Sequence, residues 1–278
     1  MARTVGVHLR LTSTITSVAQ QAQRLGVSSF QCFLIQQKTE RHIKPSEQEI
    51  KQFLQLRKQF GDLYVHGSYW INLALVMQES HRVLQRELAL AQKLQFSHII
   101  LHPGTTKGAT DRLAGIDTMA RFFNRLFKRD IPLTIVLENT AYAGMSVGSD
   151  LYDFALLYSK LDRPEKIKFC IDTAHAHAYG YDIISQDGLR NFIVLVNETI
   201  GIENIVLIHV NDTKELCGSY IDRHFAPGDG IIGTDALKNF VLHPQLVDIP
   251  LLLELPILEE SDVKRVINEV NNWHIAVL

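Results

Sequence analysis

Thr4-Val5-Gly6-Val7-His8-Leu9 opens the chain as a short, nearly continuous apolar run. Ile15, Val18, Ala19, Ala22 and Leu25 follow at the spacing of one helical face, and Gly26 comes directly after them. Ser29-Phe30-Gln31-Cys32-Phe33-Leu34 then returns to the first pattern. An apolar run without polar alternation is how a strand buried on both faces reads, because water reaches neither side of it. A glycine past the last periodic residue ends a helix, since it takes the left-handed conformation without steric cost. Residues 4–34 therefore predict a strand–helix–strand unit, and two strands joined in this way lie parallel.

The same alternation continues to the end of the chain. Further strands are expected at Leu63–His66, His98–His102, Thr134–Asn139, Ile167–Asp172, Ile205–Asn211 and Pro250–Leu255. Helical stripes lie between them. Ser46-Glu47-Gln48-Glu49 has capping-box spacing after Pro45, and Ile50, Phe53, Leu54 and Phe60 supply its apolar face. Leu84, Leu88, Ala91 and Leu94 form another stripe, as do Phe154, Leu157 and Leu161. Eight such units in 278 residues fit an α/β fold of the closed (β/α)8 TIM-barrel type, with a doubly wound open sheet as the alternative. No Gly/Ser-rich linker divides the chain, so residues 1–278 are read as one domain.

The ends of the expected strands carry unusual residues. His66, His102, Glu138, Asp172, His209 and Glu254 terminate successive strands, with His175 just beyond Asp172 and Asp222 and His224 in the loop after His209. A barrel brings these ends to one face, where such folds place their chemistry. Taken singly, a histidine at a strand end is more often a hydrogen-bonded structural residue, and a glutamate there more often an ion-pair partner. Together they are four carboxylates and five imidazoles in one bowl. Carboxylates crowded in this way repel, and divalent cations relieve the repulsion while using the imidazoles as ligands. Mixed N/O donors suit zinc, with manganese or iron as alternatives, and nine donors serve roughly three ions. His8 could approach this site, while His42, His81, His243 and His274 are expected in helices or loops, and His177 against packing or solvent.

The same residues sit in recognisable phrases. His66-Gly67-Ser68-Tyr69-Trp70-Ile71-Asn72-Leu73, His102-Pro103-Gly104 and Leu137-Glu138-Asn139-Thr140-Ala141 occur in order. They are followed by Cys170-Ile171-Asp172-Thr173-Ala174-His175-Ala176 with Gly180-Tyr181-Asp182, by His209-Val210-Asn211-Asp212-Thr213-Lys214, by Gly218-Ser219 with Asp222-Arg223-His224, and by Leu253-Glu254. Across nearly the whole chain this resembles the endonuclease IV family of metal-dependent abasic-site endonucleases. The resemblance implies three zinc ions per chain, with manganese possible at one or more positions. His66, His102 and Glu138 would hold one ion. Glu138 would bridge to a second, held also by Asp172, His209 and Glu254. His175, Asp222 and His224 would hold the third. It further implies hydrolysis of duplex DNA on the 5′ side of an abasic site to leave a 3′-hydroxyl, by a monomer. Glu138 as the bridging ligand and Glu254, orienting or deprotonating the attacking water, are the expected catalytic residues. Gln36, Gln37, Lys38, Tyr69 and Trp70 are the expected DNA contacts.

Some positions depart from the family's pattern. Lys38 stands where an arginine usually enters the minor groove, and it lacks the planar guanidinium that fills the gap of a missing base. Trp70 replaces the usual leucine, and its larger face would share stacking with Tyr69. Leu9-Arg10-Leu11-Thr12 lacks the paired glycines usual after the first strand, and Leu255 replaces the usual threonine after Glu254.

Composition narrows the remaining classes. With 28 basic against 30 acidic side chains the formal charge is -2, charged residues are 21% and hydrophobic residues 46%. Neither a disordered chain nor a histone-like polycation has this balance, so any nucleic acid must be held at a local site. Cys32, Cys170 and Cys217 are odd in number and widely spaced, which argues against disulfides and a thiolate zinc site and for a reducing compartment. Met1-Ala2-Arg3-Thr4 does not begin a signal peptide and no run spans a membrane, so a cytoplasmic location without membrane partners is expected. Gly228-Asp229-Gly230-Ile231-Ile232-Gly233 spells the dinucleotide motif GxGxxG but follows a polar loop instead of a strand. It reads as a turn after His224, and no nucleotide cofactor is expected. Gly144-Met145-Ser146-Val147-Gly148 spells a nucleophile elbow, too far past its strand to act as one. Two other functions compete: a divalent-metal sugar isomerase or epimerase on a related barrel, which leaves His175, Asp222 and His224 without a task, and a lesion-binding protein without catalysis.

Overall fold

The computed structural model describes residues 3–36, 41–107 and 111–273. Eight parallel strands close into a barrel: β1 (Val5–His8), β2 (Phe30–Phe33), β5 (Leu63–His66), β6 (His98–Leu101), β7 (Thr134–Glu138), β8 (Ile167–Asp172), β9 (Ile205–His209) and β10 (Leu251–Leu253). Their order round the barrel is β1-β10-β9-β8-β7-β6-β5-β2, so β1 joins β10 and the sheet has no free edge. Closure excludes the open doubly wound sheet. It also pairs every strand's backbone on both sides, which is what lets eight largely apolar strands lie mostly buried.

The first unit folds as its pattern requires. Helix α1 (Ile15–Leu25) buries Ile15, Val18, Ala19, Ala22 and Leu25, is capped by Thr14 accepting from Ser17 N, and ends at Gly26 with φ 75°. Helix α2 (Glu47–Arg57) starts at Ser46, whose hydroxyl accepts from Glu49 N. Only half of the expected capping box forms. The Glu49 carboxylate accepts instead from Ile15 N at 3.0 Å, tying the start of α1 to α2. Phe60, read as part of this helical face, lies beyond the helix and packs edge-on to Phe30 with ring centroids 5.2 Å apart. The other expected stripes lie on α3 (Gln78–Lys93), with Leu94 just past its end, and on α5 (Tyr152–Ser159), with Leu161 beyond it. Helices α4 (Arg112–Leu126), α6 (Thr173–Tyr179), α7 (Gln186–Thr199), α8 (Gly233–Val241) and α9 (Glu260–Asn272) complete the alternation.

Between β2 and α2 the chain adds a ladder that the sequence pattern does not announce. Here β3 (Ile35–Gln36) and β4 (Arg41–His42) pair antiparallel, with Ile35 opposite His42 and Gln36 opposite Arg41. His42 is therefore in a short strand and not in a loop or helix. Two residues per strand give no periodicity to read, so nothing in the pattern marks it.

Inside the barrel, Tyr64, Ile100, Val136, Cys170, Leu207 and Leu252 pack as one buried layer, separate from the larger core between barrel and helices. Each of these six residues stands two positions before an expected donor: His66, His102, Glu138, Asp172, His209 and Glu254. Side chains alternate across a strand with a period of two. The apolar layer is thus the floor above which six donors stand, all on the inward face of their strands.

Candidate metal centre

At the mouth of the barrel the donors converge. Their atoms, each within 4.8 Å of the others in its group, form His66–His102–Glu138, then Glu138–Asp172–His209–Glu254, then Asp172–His175–His224. Asp222 joins the third group: its Oδ1 lies 3.2 Å from His175 Nε2 and 3.3 Å from His224 Nε2. Glu138 belongs to two groups, which is what a bridging ligand requires. Asp172 also reaches two, with Oδ2 3.6 Å from His224 Nε2 and 3.9 Å from His209 Nδ1. A fourth group, Glu138–Cys170–His209, brings in a thiol that was not among the expected donors.

Glu138 lies at the centre of the charge pattern. It is fully buried, with Oε1 2.8 Å from His209 Nδ1 and Oε2 3.4 and 3.1 Å from the Nε2 atoms of His66 and His102. Burial alone would push its carboxyl up; the imidazoles of His209 and His102 outweigh that and hold it well below the usual carboxylate range. Burial likewise opposes a charge on His175, but Asp172 and Asp222 raise it well above an ordinary histidine. His66 and His209 are raised in the same way against their burial, so three buried imidazoles and the Glu138 carboxylate favour charged forms. Glu138 Oε2 nevertheless accepts no hydrogen bond among the described residues, although two ring nitrogens lie near it. A buried carboxylate oxygen without a hydrogen bond, with two ring nitrogens at 3.4 and 3.1 Å, fits a cation held among them. The donor set is accordingly suited to divalent metal, in which neutral imidazoles and carboxylates are the ligands.

Around the donors stands a shell of amides that hold them. Asn211 Nδ2 donates to Asp172 Oδ2 at 2.6 Å and to Glu254 Oε2 at 3.2 Å, while Asn211 Oδ1 accepts from Glu254 N. Asn139 Oδ1 accepts from Asp172 N at 2.7 Å, and its backbone carbonyl lies 2.8 Å from His175 Nδ1. Gln31 Nε2 donates to Glu254 Oε1 at 2.6 Å, and Gln31 Oε1 lies 3.1 Å from His209 Nε2. Tyr142 donates its hydroxyl to Asp222 Oδ2 at 3.1 Å. Sequence reasoning singled out none of these four. Gln31 was legible in principle as a polar residue inside an apolar strand, and Asn139 and Asn211 as the residues next to strand ends. His8 does reach the site, 3.4 Å from Glu254 Oε1, whereas His177 joins none of the donor groups.

The rim is a different material. A cavity of about 260 Å³ opens over the donors between Arg10, Phe33, Tyr69, Arg223 and Pro256. Beside it Tyr69 is 74% exposed and Trp70 57% exposed. Behind them, Glu87 accepts from Ser68 N at 3.2 Å, and Ser80 bridges Trp70 O and Asn72 N. Gln36 lies on β3, at a neighbouring groove lined by Arg41, Lys44 and Arg86. Gln37 and Lys38 lie outside the described residues.

The family model described as a xylose isomerase-like TIM barrel matches residues 19–273. A probable endonuclease 4 of Solibacter usitatus is 32% identical over 274 residues, covering 94% of this chain and 93% of that protein. The chain belongs to the endonuclease 4 family. Endonuclease IV from Thermus thermophilus superposes with a TM-score of 0.84 at 27% identity, over 99% of this chain and 100% of that one. D-Psicose 3-epimerase from Clostridium cellulolyticum shares the fold alone, at 12% identity and a TM-score of 0.67 over 98% and 97% of the two chains. Within the endonuclease 4 family, then, this chain carries six of its nine donors at the ends of the strands from β5 to β10, with His175 on α6 and Asp222 and His224 in the loop after β9. No helix among the described residues is long and apolar enough to cross a membrane.

Proposed function

We propose that this protein is a metal-dependent DNA repair endonuclease that hydrolyses the phosphodiester 5′ to an abasic site in duplex DNA. The observation that carries this reading is the convergence of nine donors in three linked groups, directly beside two exposed aromatic rings. His66, His102 and Glu138 would hold one ion, Glu138 with Asp172, His209 and Glu254 a second, and His175, Asp222 and His224 a third. Zinc fits this imidazole–carboxylate set, and manganese fits its more carboxylate-rich positions. When bound, such ions supply a nucleophile near neutral pH, because they lower the pKa of water from 15.7 to about 7, and they offset the charge of the phosphate.

The protein's own groups perform the rest. Glu254 stands between the second and third groups, with Oε2 3.5 Å from His209 Nδ1 and 3.4 Å from His224 Nδ1. Gln31 and Asn211 fix both of its oxygens. It is placed to orient the attacking water. The water oxygen bonds to phosphorus and the bond from phosphorus to the 3′-oxygen breaks. That oxygen takes up a proton as the 3′-hydroxyl, and the phosphate stays on the abasic residue. Tyr69 and Trp70 offer faces on which bases next to the gap stack, and Arg10 brings positive charge to the cavity mouth, where Arg223 is paired with Glu215 at 3.0 Å. This local arrangement explains how a chain of net charge -2 would hold a polyanion.

The test pairs elemental analysis of the purified protein with incision of a duplex bearing a single abasic site, before and after chelation. About three metal equivalents and a chelator-sensitive cut leaving a 3′-hydroxyl are expected. One equivalent with ketose turnover would point to the isomerase reading instead, and tight lesion binding by fully metallated protein without a cut to the binding protein.

A further inference from the structure

Asp212 lies outside every donor group, yet it is fully buried and entirely satisfied by backbone. Its Oδ1 accepts from Thr213 N at 2.8 Å and Ile232 N at 3.0 Å. Its Oδ2 accepts from Gly228 N at 3.0 Å and Gly233 N at 3.2 Å. Three of these four donors come from Gly228–Gly233, the stretch that spells GxGxxG. Such a loop is a concave array of N–H groups suited to an anion. Here the anion is the chain's own carboxylate. Gly230 has to be glycine for the cradle to close, since a Cβ there would collide with Asp212 Oδ1 and Thr213 O.

The cradle bears on the metal centre. Asp212 N donates to Phe225 O at 3.0 Å and Phe225 N donates to Asp212 O at 2.8 Å, so the residue after His224 is bridged to the segment three residues past the end of β9. Lys214 Nζ sits 4.4 Å over the Phe225 ring and adds a second clamp. Of the nine donors, Asp222 and His224 alone are borne by a long loop; the rest stand at strand ends or, like His175, on the helix that follows one directly. Their approach to His175 at 3.2 Å depends on where this loop is held.

We infer that Asp212 is a positioning residue for the third donor group: its backbone pairs with Phe225 while its carboxylate gathers residues 228–233, and together they set Asp222 and His224 against His175. This rests on the proposed metal-dependent function. Asp212→Asn keeps the size and one acceptor oxygen but turns an NH2 group toward two backbone N–H donors, so half of the cradle opens.

Three measurements on the purified full chain test it: zinc retention against a competing chelator, kcat and KM on an abasic-site duplex, and amide exchange of the metal-free protein. In Asp212→Asn, zinc retention falls toward that of His224→Ala, and kcat drops on the order of 10- to 100-fold with KM changed much less. Combining Asp212→Asn with His224→Ala costs little beyond His224→Ala alone. In metal-free Asp212→Asn, the amides of Gly228, Ile232 and Gly233 exchange faster while those of the barrel strands do not. A variant that melts lower but keeps wild-type zinc retention and kcat overturns the inference. If Asp212→Asn does not fold, Gly230→Ala presses on the cradle from the other side, and wild-type zinc retention and kcat there overturn it equally. Should the wild-type chain neither hold metal nor cut, the functional reading falls, and the exchange data alone decide whether Asp212 holds the loop.

Discussion

The donor bowl and the Tyr69–Trp70 rim lie side by side at the mouth of the barrel, yet they are built in opposite ways. In the bowl, Glu138, Asp172 and His209 are completely buried, each stands two residues above an apolar floor, and side-chain amides fix the carboxylates. On the rim, both rings project from a loop and stay largely exposed; the backbone behind them is pinned by Glu87 and Ser80 of α3, and the Tyr69 ring rests against that of Phe33, with centroids 5.3 Å apart. The bowl's geometry is therefore set before any substrate arrives, as a site that must present ligands within tenths of an ångström requires. The rim's geometry is left for the substrate to complete. On this view, changes in the bowl act on metal retention and kcat, and changes on the rim act on KM.

The sharpest way to break that division is Glu138→Gln. Glutamine keeps the shape but removes the charge shared by His66, His102 and His209. Metal content measured by elemental analysis should fall in two groups at once, and the incision rate should fall by about 10³-fold or more. A variant that retained full metal and cut within a few-fold of wild type would show that Glu138 is not shared.

The contrast also explains what the sequence disclosed. An apolar strand of period two ending in a polar residue tells both that the strand is buried and which way its last side chain points. Tyr64 before His66 and Leu207 before His209 are readable in this way from letters alone. The floor thus placed six of the nine donors, and the closeness of His175 to Asp172 along α6 placed a seventh. Asp222 and His224 were read only as polar residues in the loop after His209, and the resemblance of their phrase grouped them with His175, because a long loop has no period. Asn211 and Gln31 escaped for another reason. An amide within a strand or just past it has the same composition signal whether it faces solvent or a carboxylate, and only the closed barrel decides. The β3–β4 hairpin was too short to leave any pattern.

Asn211→Ala tests whether the amides are as much part of the bowl as the donors. It removes the donor to both Asp172 and Glu254 and leaves two buried oxygens without that partner. The expected result is a loss of roughly 10- to 100-fold in kcat or metal affinity, with KM little changed. An effect confined to KM would place Asn211 with the rim.

Trp70→Ala addresses the rim itself. The ring is largely in solvent, so its loss should not disturb folding, and the backbone anchor from Ser80 remains. Stacking of one base on one aromatic ring is worth about 1–3 kcal/mol. KM for abasic duplex should therefore rise about tenfold while kcat and metal content stay near wild type, read from steady-state kinetics and elemental analysis. A fall in kcat with unchanged KM would mean that the ring helps to shape the bowl, and the two regions would no longer be separable.

The smallest effect is expected at Cys170, where the floor meets the donors. Its sulfur falls within the same 4.8 Å group as Glu138 and His209, so geometry alone admits it as a ligand. Burial pushes the thiol up to about 12, more than His209 draws it down, and the thiol therefore remains protonated at neutral pH. It also belongs to the layer of Tyr64, Val136 and Leu207, one step below the carboxylates that share its surroundings. With three carboxylates and a histidine already facing the same space, those donors satisfy a divalent ion without it. Cys170→Ala should then leave metal content and both kinetic constants unchanged and cost only about 1–2 kcal/mol in denaturant unfolding, the price of a small cavity in the floor. If metal retention fell instead, the thiolate would have to be counted among the ligands. The boundary between floor and bowl would then lie two residues lower on β8, at Cys170 instead of Asp172.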